Sequence, residues 1–229
     1  MKSSTFYCVL TIGVLLMGAV AWWGVHQVQN QPKPQASAAN PYSTATNTPS
    51  LAGLSIYTNG QYGFSIFYPS SLKTTTTFDM TYHLSANWRV NALTNATGTP
   101  IIEILGYQTR SDVSFPRYFQ TEARVGASAD PREVAVCTQA GNGERALPAK
   151  VINGTSWQAF TFQNAGMMQY VSAISYRTVH DHLCYAIEQI ETGASYRDAP
   201  SPSDIPQSIL DQHFQELSSI VNSFTFARP

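Results

Sequence analysis

The hydrophobic pattern of the chain falls into three regimes. From Phe6 to Val25 no charged residue interrupts twenty consecutive positions, about the number a helix needs to cross bilayer hydrocarbon. Only Lys2 and the amino terminus carry positive charge before it, and the next basic residue is Lys33, a bias that keeps the N-terminus in the cytoplasm. Trp22 and Trp23 stand at the outer end, where indole rings favour the headgroup layer. Ala19, Val20 and Ala21 also form the small-x-small triplet that a signal peptidase reads. Residues 1–26 therefore read either as a retained single-pass anchor or as a secretory peptide cleaved near Ala21. Either way the remainder of the chain is exported. Cys8 lies inside the run and not after it, which gives a lipoprotein no support.

Residues 27–53 are dominated by Gln, Asn, Pro, Ser, Thr and Ala, too polar to bury the surface that ordering requires, and read as a tether. From Leu54 to the C-terminus the pattern is that of a folded domain of roughly 175 residues, a usual single-domain size. Asn59 and Gly60 separate the apolar stretches Leu54 to Tyr57 and Tyr62 to Tyr68, and predict a tight hairpin turn built on positive φ angles. Pro69 stops the second strand. A second hairpin is expected from strands at His83 to Leu93 and Ile101 to Tyr107. Ser114 can cap a short helix through about Arg124, with Gly126 as its stop.

Strand patterns recur at Val134 to Cys137, Lys150 to Ile152, Ser156 to Phe162, Met167 to Tyr176 and Leu183 to Ile190, with Asn153 and Gly154 marking another turn. This is a meander. Ile209, Leu210, Phe214, Leu217, Ile220 and Val221 recur at helical spacing and predict one amphipathic helix, followed by a last short strand in Ser223 to Phe226. The fold class is α+β, an antiparallel sheet with a few helices.

Charge narrows the function classes. Thirteen basic residues face fourteen acidic ones with no run of either sign, so the chain carries no electrostatic footprint for nucleic acid. Only 12% of residues are charged, while the chain holds 12 Tyr and 11 Phe, a balance suited to an extracytoplasmic β-rich domain. The domain has two cysteines, Cys137 and Cys184, and outside the cytoplasm their pairing is the first expectation, two buried free thiols the second.

Candidate chemistry is sparse. His180, His182 and Cys184 alternate, so on a straight strand they would offer two imidazoles and a thiolate to zinc. Against that reading, Val179 to His182 falls where a polar turn is expected, Cys184 has a partner in Cys137, and a fourth ligand is missing. His180 and His182 remain weak metal candidates only. Gly141, Gly143 and Ala146 have the spacing of a dinucleotide loop, but Pro148 follows at once and no helix does. No cofactor is expected. No nucleophile elbow frames any serine, and Glu188 and Glu191, three apart on a strand, point to opposite faces. Asn95 and Asn153 begin Asn-x-Thr triplets and mark turns. Met167 and Met168 near Tyr170 read as core before they read as a binding groove.

The run GFSIFYPSSL at Gly63 to Leu72, after Tyr57, together with the terminal helix that runs into SFTF at Ser223 to Phe226, resembles the PsbP/Mog1-like α/β/α sandwich group. Tyr176 and Arg177 before a turn, with Cys184 and Tyr185 after it, resemble the second half of uncharacterised bacterial envelope proteins with that opening. The resemblance implies a non-enzymatic accessory or binding role and supplies no catalytic residues. The expectation is thus a protein at the bacterial inner membrane, held by its N-terminal helix or secreted, whose domain faces the periplasm or cell exterior and binds an envelope protein. Its rivals are an extracytoplasmic hydrolase, with His83, His180, His182 and His213 as the histidines to inspect, and a small-ligand-binding module.

Overall fold

The computed structural model describes residues 53–78, 84, 86–93, 95–109, 118–167, 169–194 and 205–227. The apolar run at 6–25, the tether as far as residue 52, His83, Ser114 and Met168 lie outside these residues. Among the described residues no helix is long and apolar enough to cross a membrane.

Tight turns lay down most of the main sheet. Strands β6 (Glu144–Ile152), β7 (Thr155–Gly166), β8 (Gln169–His180) and β9 (Leu183–Ala194) follow one another antiparallel. Asn153 and Gly154 turn β6 into β7 with φ of 45° and 85°, and Asp181 and His182 turn β8 into β9 with φ of 47° and 64°, the left-handed pair that matches the twist of a hairpin. β9 then pairs with β5 (Phe119–Ser128), which pairs with β4 (Thr99–Gln108), and β3 (Lys73–Thr75) closes the far edge. The seven-stranded order is β3-β4-β5-β9-β8-β7-β6. A second sheet, β1-β2-β10, is formed by β1 (Leu54–Asn59), β2 (Phe64–Pro69) and β10 (Thr225–Phe226). Helix α1 (Pro131–Val136) follows β5, and helix α2 (Gln207–Asn222) precedes β10.

The alternation of side chains gives the large sheet two different faces. One buries Ile102, Ile104, Ala123, Val125, Ile187 and Trp157 against Phe64 and Ile66 of the small sheet and Leu217, Ile220 and Val221 of α2. The helical spacing of those three residues is what lets α2 lie on strands β4, β5, β9 and β2. The opposite face is covered by the segment through Trp88 to Val90 and by α1. Gly126 is required there, because a Cβ at that position would come within 1.9 Å of the Trp88 carbonyl oxygen. Cys137, at the end of α1, is disulfide-bonded to Cys184 of β9 across a sequence separation of 47.

Several local expectations fail for identifiable reasons. Residues 86–93 make bends and turns over the sheet and no strand, so the hairpin partner of β4 is β5 and not His83 to Leu93. Phe119 to Arg124 belong to β5 and not to a helix, since β9 pairs with every one of them and β4, with a register shift between Leu105 and Gln108, flanks their other side. Tertiary pairing overrides a narrow helical pattern. Val134 to Cys137 end a helix and do not form a strand: Asp130 caps it through the Arg132 N–H, and Pro131 opens it. Asn59 and Gly60 do lie at a hairpin, but neither has a positive φ; the left-handed residue of the loop is Gly63, at 61°. Asn59 instead accepts the Tyr62 N–H at 3.0 Å through its side chain, closing a four-residue loop before Phe64. Met167 is neither core nor groove, standing 84% exposed in the turn between β7 and β8.

Candidate functional site

The described histidines, His180, His182 and His213, do not converge on one site. His180 ends β8 and stacks on Phe226, His182 occupies the turn, and Cys184 is consumed by its disulfide, which removes the thiolate from any zinc set. Among the described residues no cluster of three metal-ligating side chains occurs. His213 stacks on Tyr107 and lies 3.5 Å from Glu216 on the same helix. The segment with Gly141 and Gly143 is an ordinary turn into β6, its Gly141 N–H bonded to Glu144. Glu188 and Glu191 occupy alternate-parity positions of β9 and diverge, as their spacing requires. Asn153 is engaged, its amide donating to Asn222 O, Phe224 O and Thr225 Oγ1.

The charged residues that sequence reasoning passed over are buried on the covered face of the large sheet. Arg124 pairs with Glu103 at 3.1 Å and Glu122 at 2.8 Å. Arg89 pairs with Glu133 at 2.7 Å, Arg177 pairs with Glu144, and Glu188 accepts the Val90 N–H at 2.8 Å. Their signal in the sequence is charge at alternate positions inside apolar strands, as in Glu122 and Arg124. The Val90 N–H to Glu188 bond and the approach of Arg89 to Glu144 tie the cover to the sheet, and a buried carboxylate stripped of its partner would cost far more than the pair contributes.

Glu122 responds strongly to this environment. Burial, with the hydrogen bond and charge of Glu103, outweighs the Arg124 guanidinium and pushes its carboxyl up to about 8. The folded protein therefore keeps a proton that the unfolded chain releases near 4.5. That stability is fully present below pH 4.5 and is lost as pH rises to about 8. Glu122→Gln is expected to flatten the decline by up to roughly 1.4 kcal/mol per pH unit, read from urea midpoints across that range; an unchanged slope would remove Glu122 from the account.

A cleft of about 730 Å³ opens at one end of the sandwich between Tyr62, Thr99, Ala127 and Leu183. Asp130 at its wall is committed, its carboxylate held low by hydrogen bonds from Arg132 first and then Thr97.

The small sheet offers a more specific feature. Ser70 N–H donates to Gly53 O at 2.9 Å, so Gly53, Ser55, Tyr57 and Asn59 bond toward β2. By the alternation of an antiparallel ladder, Leu54, Ile56 and Thr58 turn their N–H and C=O groups away from it. The other side of β2 agrees: Phe67 N–H and C=O both meet Ser223 Oγ, and Ala227 N–H donates to Gly63 O. Pro69, which has no N–H, stands opposite Leu54 where none is needed. Among the described residues β1 is thus an edge strand. Its outward side chains include Leu54 and Ile56, 40% and 54% exposed, beside Phe67 and Pro69 of β2.

The other long edge is built differently. β6 carries Pro148, Lys150 and a register irregularity between Leu147 and Lys150, devices that discourage pairing. β1, with the sequence LSIYTN, has neither proline nor charge and pairs without a break in register.

Neither a protein-family model nor a curated protein matches the sequence. Solved structures similar to it include cyanobacterial PsbP from Synechocystis sp. PCC 6803, 10% identical, with 85% of this chain and 99% of that one covered at a TM-score of 0.35. LpqN, involved in cell envelope biogenesis of Mycobacterium tuberculosis, is 12% identical over 76% of this chain and 91% of its own, at a TM-score of 0.39. A Bacteroides thetaiotaomicron protein is 11% identical at a TM-score of 0.33, and this chain, with 76% covered, spans 48% of its length. A PsbP, the group anticipated from the opening motif and the terminal helix, and a protein involved in cell envelope biogenesis thus stand among the structural neighbours. At these scores the likeness carries no argument about this chain, and no function is transferred by it.

Proposed function

We propose that this chain is a non-catalytic binding or accessory protein of the cell envelope, whose domain lies outside the cytoplasm and holds a partner protein by strand addition at β1. The observation that carries the reading is the β1 edge, where outward backbone groups and exposed apolar side chains occur together. Main-chain hydrogen bonds give such a site affinity, and the side chains on alternate positions give it selectivity. The Cys137–Cys184 disulfide supports an oxidising compartment, and the apolar run at Phe6 to Val25 supplies a route there.

The test is a photo-crosslinking amino acid placed at Ile56 in the full-length chain, in intact cells, with the more exposed Val151 as the control. Val151 is 70% exposed on the guarded β6 edge. A discrete protein adduct from position 56, lacking at 151, is the expected result. Equal or no labelling from both positions would sink the reading.

A further inference from the structure

We infer that the cleft over β7, β8 and β9, on the α2 side of the large sheet, is a binding site for a primary ammonium group, received by Glu191 beside Tyr170. The site is separate from the β1 edge and stands whether or not that edge takes a strand. The cleft, of about 450 Å³, is lined by Gln163 and Ala165 of β7, Tyr170 and Ser172 of β8 and Glu191 of β9. The ladder puts these side chains on one face, since Gln163 stands opposite Ser172, Ala165 opposite Tyr170, and Ser172 opposite Glu191. Gln189, two places earlier on β9, turns the same way and donates to Ser218 of α2 at 2.8 Å, which identifies the face.

Tyr170 is placed by a glycine. A Cβ on Gly193, its partner across the ladder, would come within 2.7 Å of the Tyr170 ring, so the ring lies on bare backbone and its hydroxyl donates to Glu191 Oε1. Glu191 gains that hydroxyl but no cation. The residues opposite it, Thr121 of β5 and Ser172 of β8, are uncharged, and among the described residues no Lys, Arg or His forms an ion pair with it. Lys150, on the same face, lies over the Tyr176 ring, 5.0 Å from its centroid, and Tyr176 is about 13 Å further along β8 than Ser172. Burial raises the Glu191 carboxyl above its ordinary value, with the Tyr170 hydrogen bond opposing it. A cation in the cleft supplies the missing counter-charge, and a partly buried site makes that contact stronger than the same contact in water. Because Tyr170 already occupies Oε1, a point-like ammonium suits the remaining oxygen better than a guanidinium fork, which engages both. The Gln163 amide nitrogen faces Ser172 Oγ at 3.5 Å, which leaves the amide oxygen as a further acceptor for the ammonium protons. A metal ion is the poorer occupant, since it needs several oxygen ligands and no cluster of three metal-ligating side chains occurs among the described residues.

The experiment titrates the isotope-labelled full-length chain, in mild detergent, with N-acetyl-lysine methylamide and follows the backbone amide resonances. Saturable shifts centred on residues 163–165, 170–172 and 191 are expected, with a Kd on the order of millimolar for a single recognised group. N-acetyl-norleucine methylamide, which lacks the charge, should give none. Glu191→Gln should weaken binding about tenfold or more, the effect of losing a charged hydrogen-bond partner, whereas Asp211→Asn, at an exposed position of α2, should leave it unchanged. Ser172→Lys, which brings an ammonium to Glu191 from the opposite strand, should block the free amine and serves where Glu191→Gln does not fold. A peptide, acetyl-Ala-Lys-Ala-amide, bound about tenfold more tightly than spermidine would identify a protein side chain as the source of the ammonium, and the reverse order a free polyamine. Equal shifts with the norleucine compound, binding that survives in both Glu191→Gln and Ser172→Lys, or no saturable shift up to about 100 mM would overturn the site.

Discussion

Serine at both Cys137 and Cys184 is expected to destabilise the domain by about 4 kcal/mol, the chain-entropy value for a closed loop of this length. The two sulfurs join α1 to β9 over a separation of 47 residues. They sit in a buried cluster with Trp88 and Ala186, so the loss includes the packing of the cover on the sheet. For a domain of this size the change corresponds to a fall in Tm of roughly 8–16 °C. Thermal melts of the oxidised protein, the reduced protein and the double serine variant check it. The reduced and double serine proteins should coincide, well below the oxidised one. A difference under about 1 kcal/mol would show that the bond constrains the unfolded chain little.

Glu144→Gln is expected to cost about 3–5 kcal/mol, the usual loss when one partner of a buried ion pair is removed. Glu144 faces two guanidiniums, pairing with Arg177 and lying 3.9 Å from Arg89. It also accepts the Gly141 N–H at 2.6 Å, which holds the turn into β6. Arg177 is buried, and burial first, then Arg89, pulls its pKa down while Glu144 opposes them. Without Glu144 that charge loses its main counter-ion. Removing both charges in Glu144→Gln/Arg177→Met should recover a large part of the loss, because an apolar replacement of a whole pair is often close to neutral. Urea unfolding of the single and double variants measures this. A double variant no more stable than Glu144→Gln alone would mean that the cost lies in packing around Arg177, which also covers the Phe160 ring.

These two sites explain why the candidate site was only partly legible in the sequence. Glu144 follows two glycines and reads as a turn residue. Nothing local shows that β6 lies at the edge beyond β7 and β8, with Glu144 reaching back to Arg177 of β8 and near Arg89 of the cover. The same holds for β1. Its apolar stretch is visible, but Leu54, Ile56 and Thr58 face outward only because β2 has its other side occupied by Ser223 and β10.

Elements whose signals are local could be read directly from the order of residues. The Asn153–Gly154 turn follows from residues that accept a left-handed backbone, the end of β2 from a proline, and α2 from apolar side chains repeated at helical spacing. Apolar runs bounded by turn residues likewise specified strands in β4 and β7 to β9, and charge balance spoke against nucleic acid. The rest depended on how distant segments meet. Pairing with β4 and β9 made Phe119 to Arg124 a strand, and packing turned residues 86–93 into a cover for buried charge and dispersed the histidines. It also left β1 at an edge. The difference is one of range: capping, turn and periodicity energies act within a few residues, whereas strand neighbours and buried ion pairs are settled between segments far apart in the chain, and only the fold determines which meet.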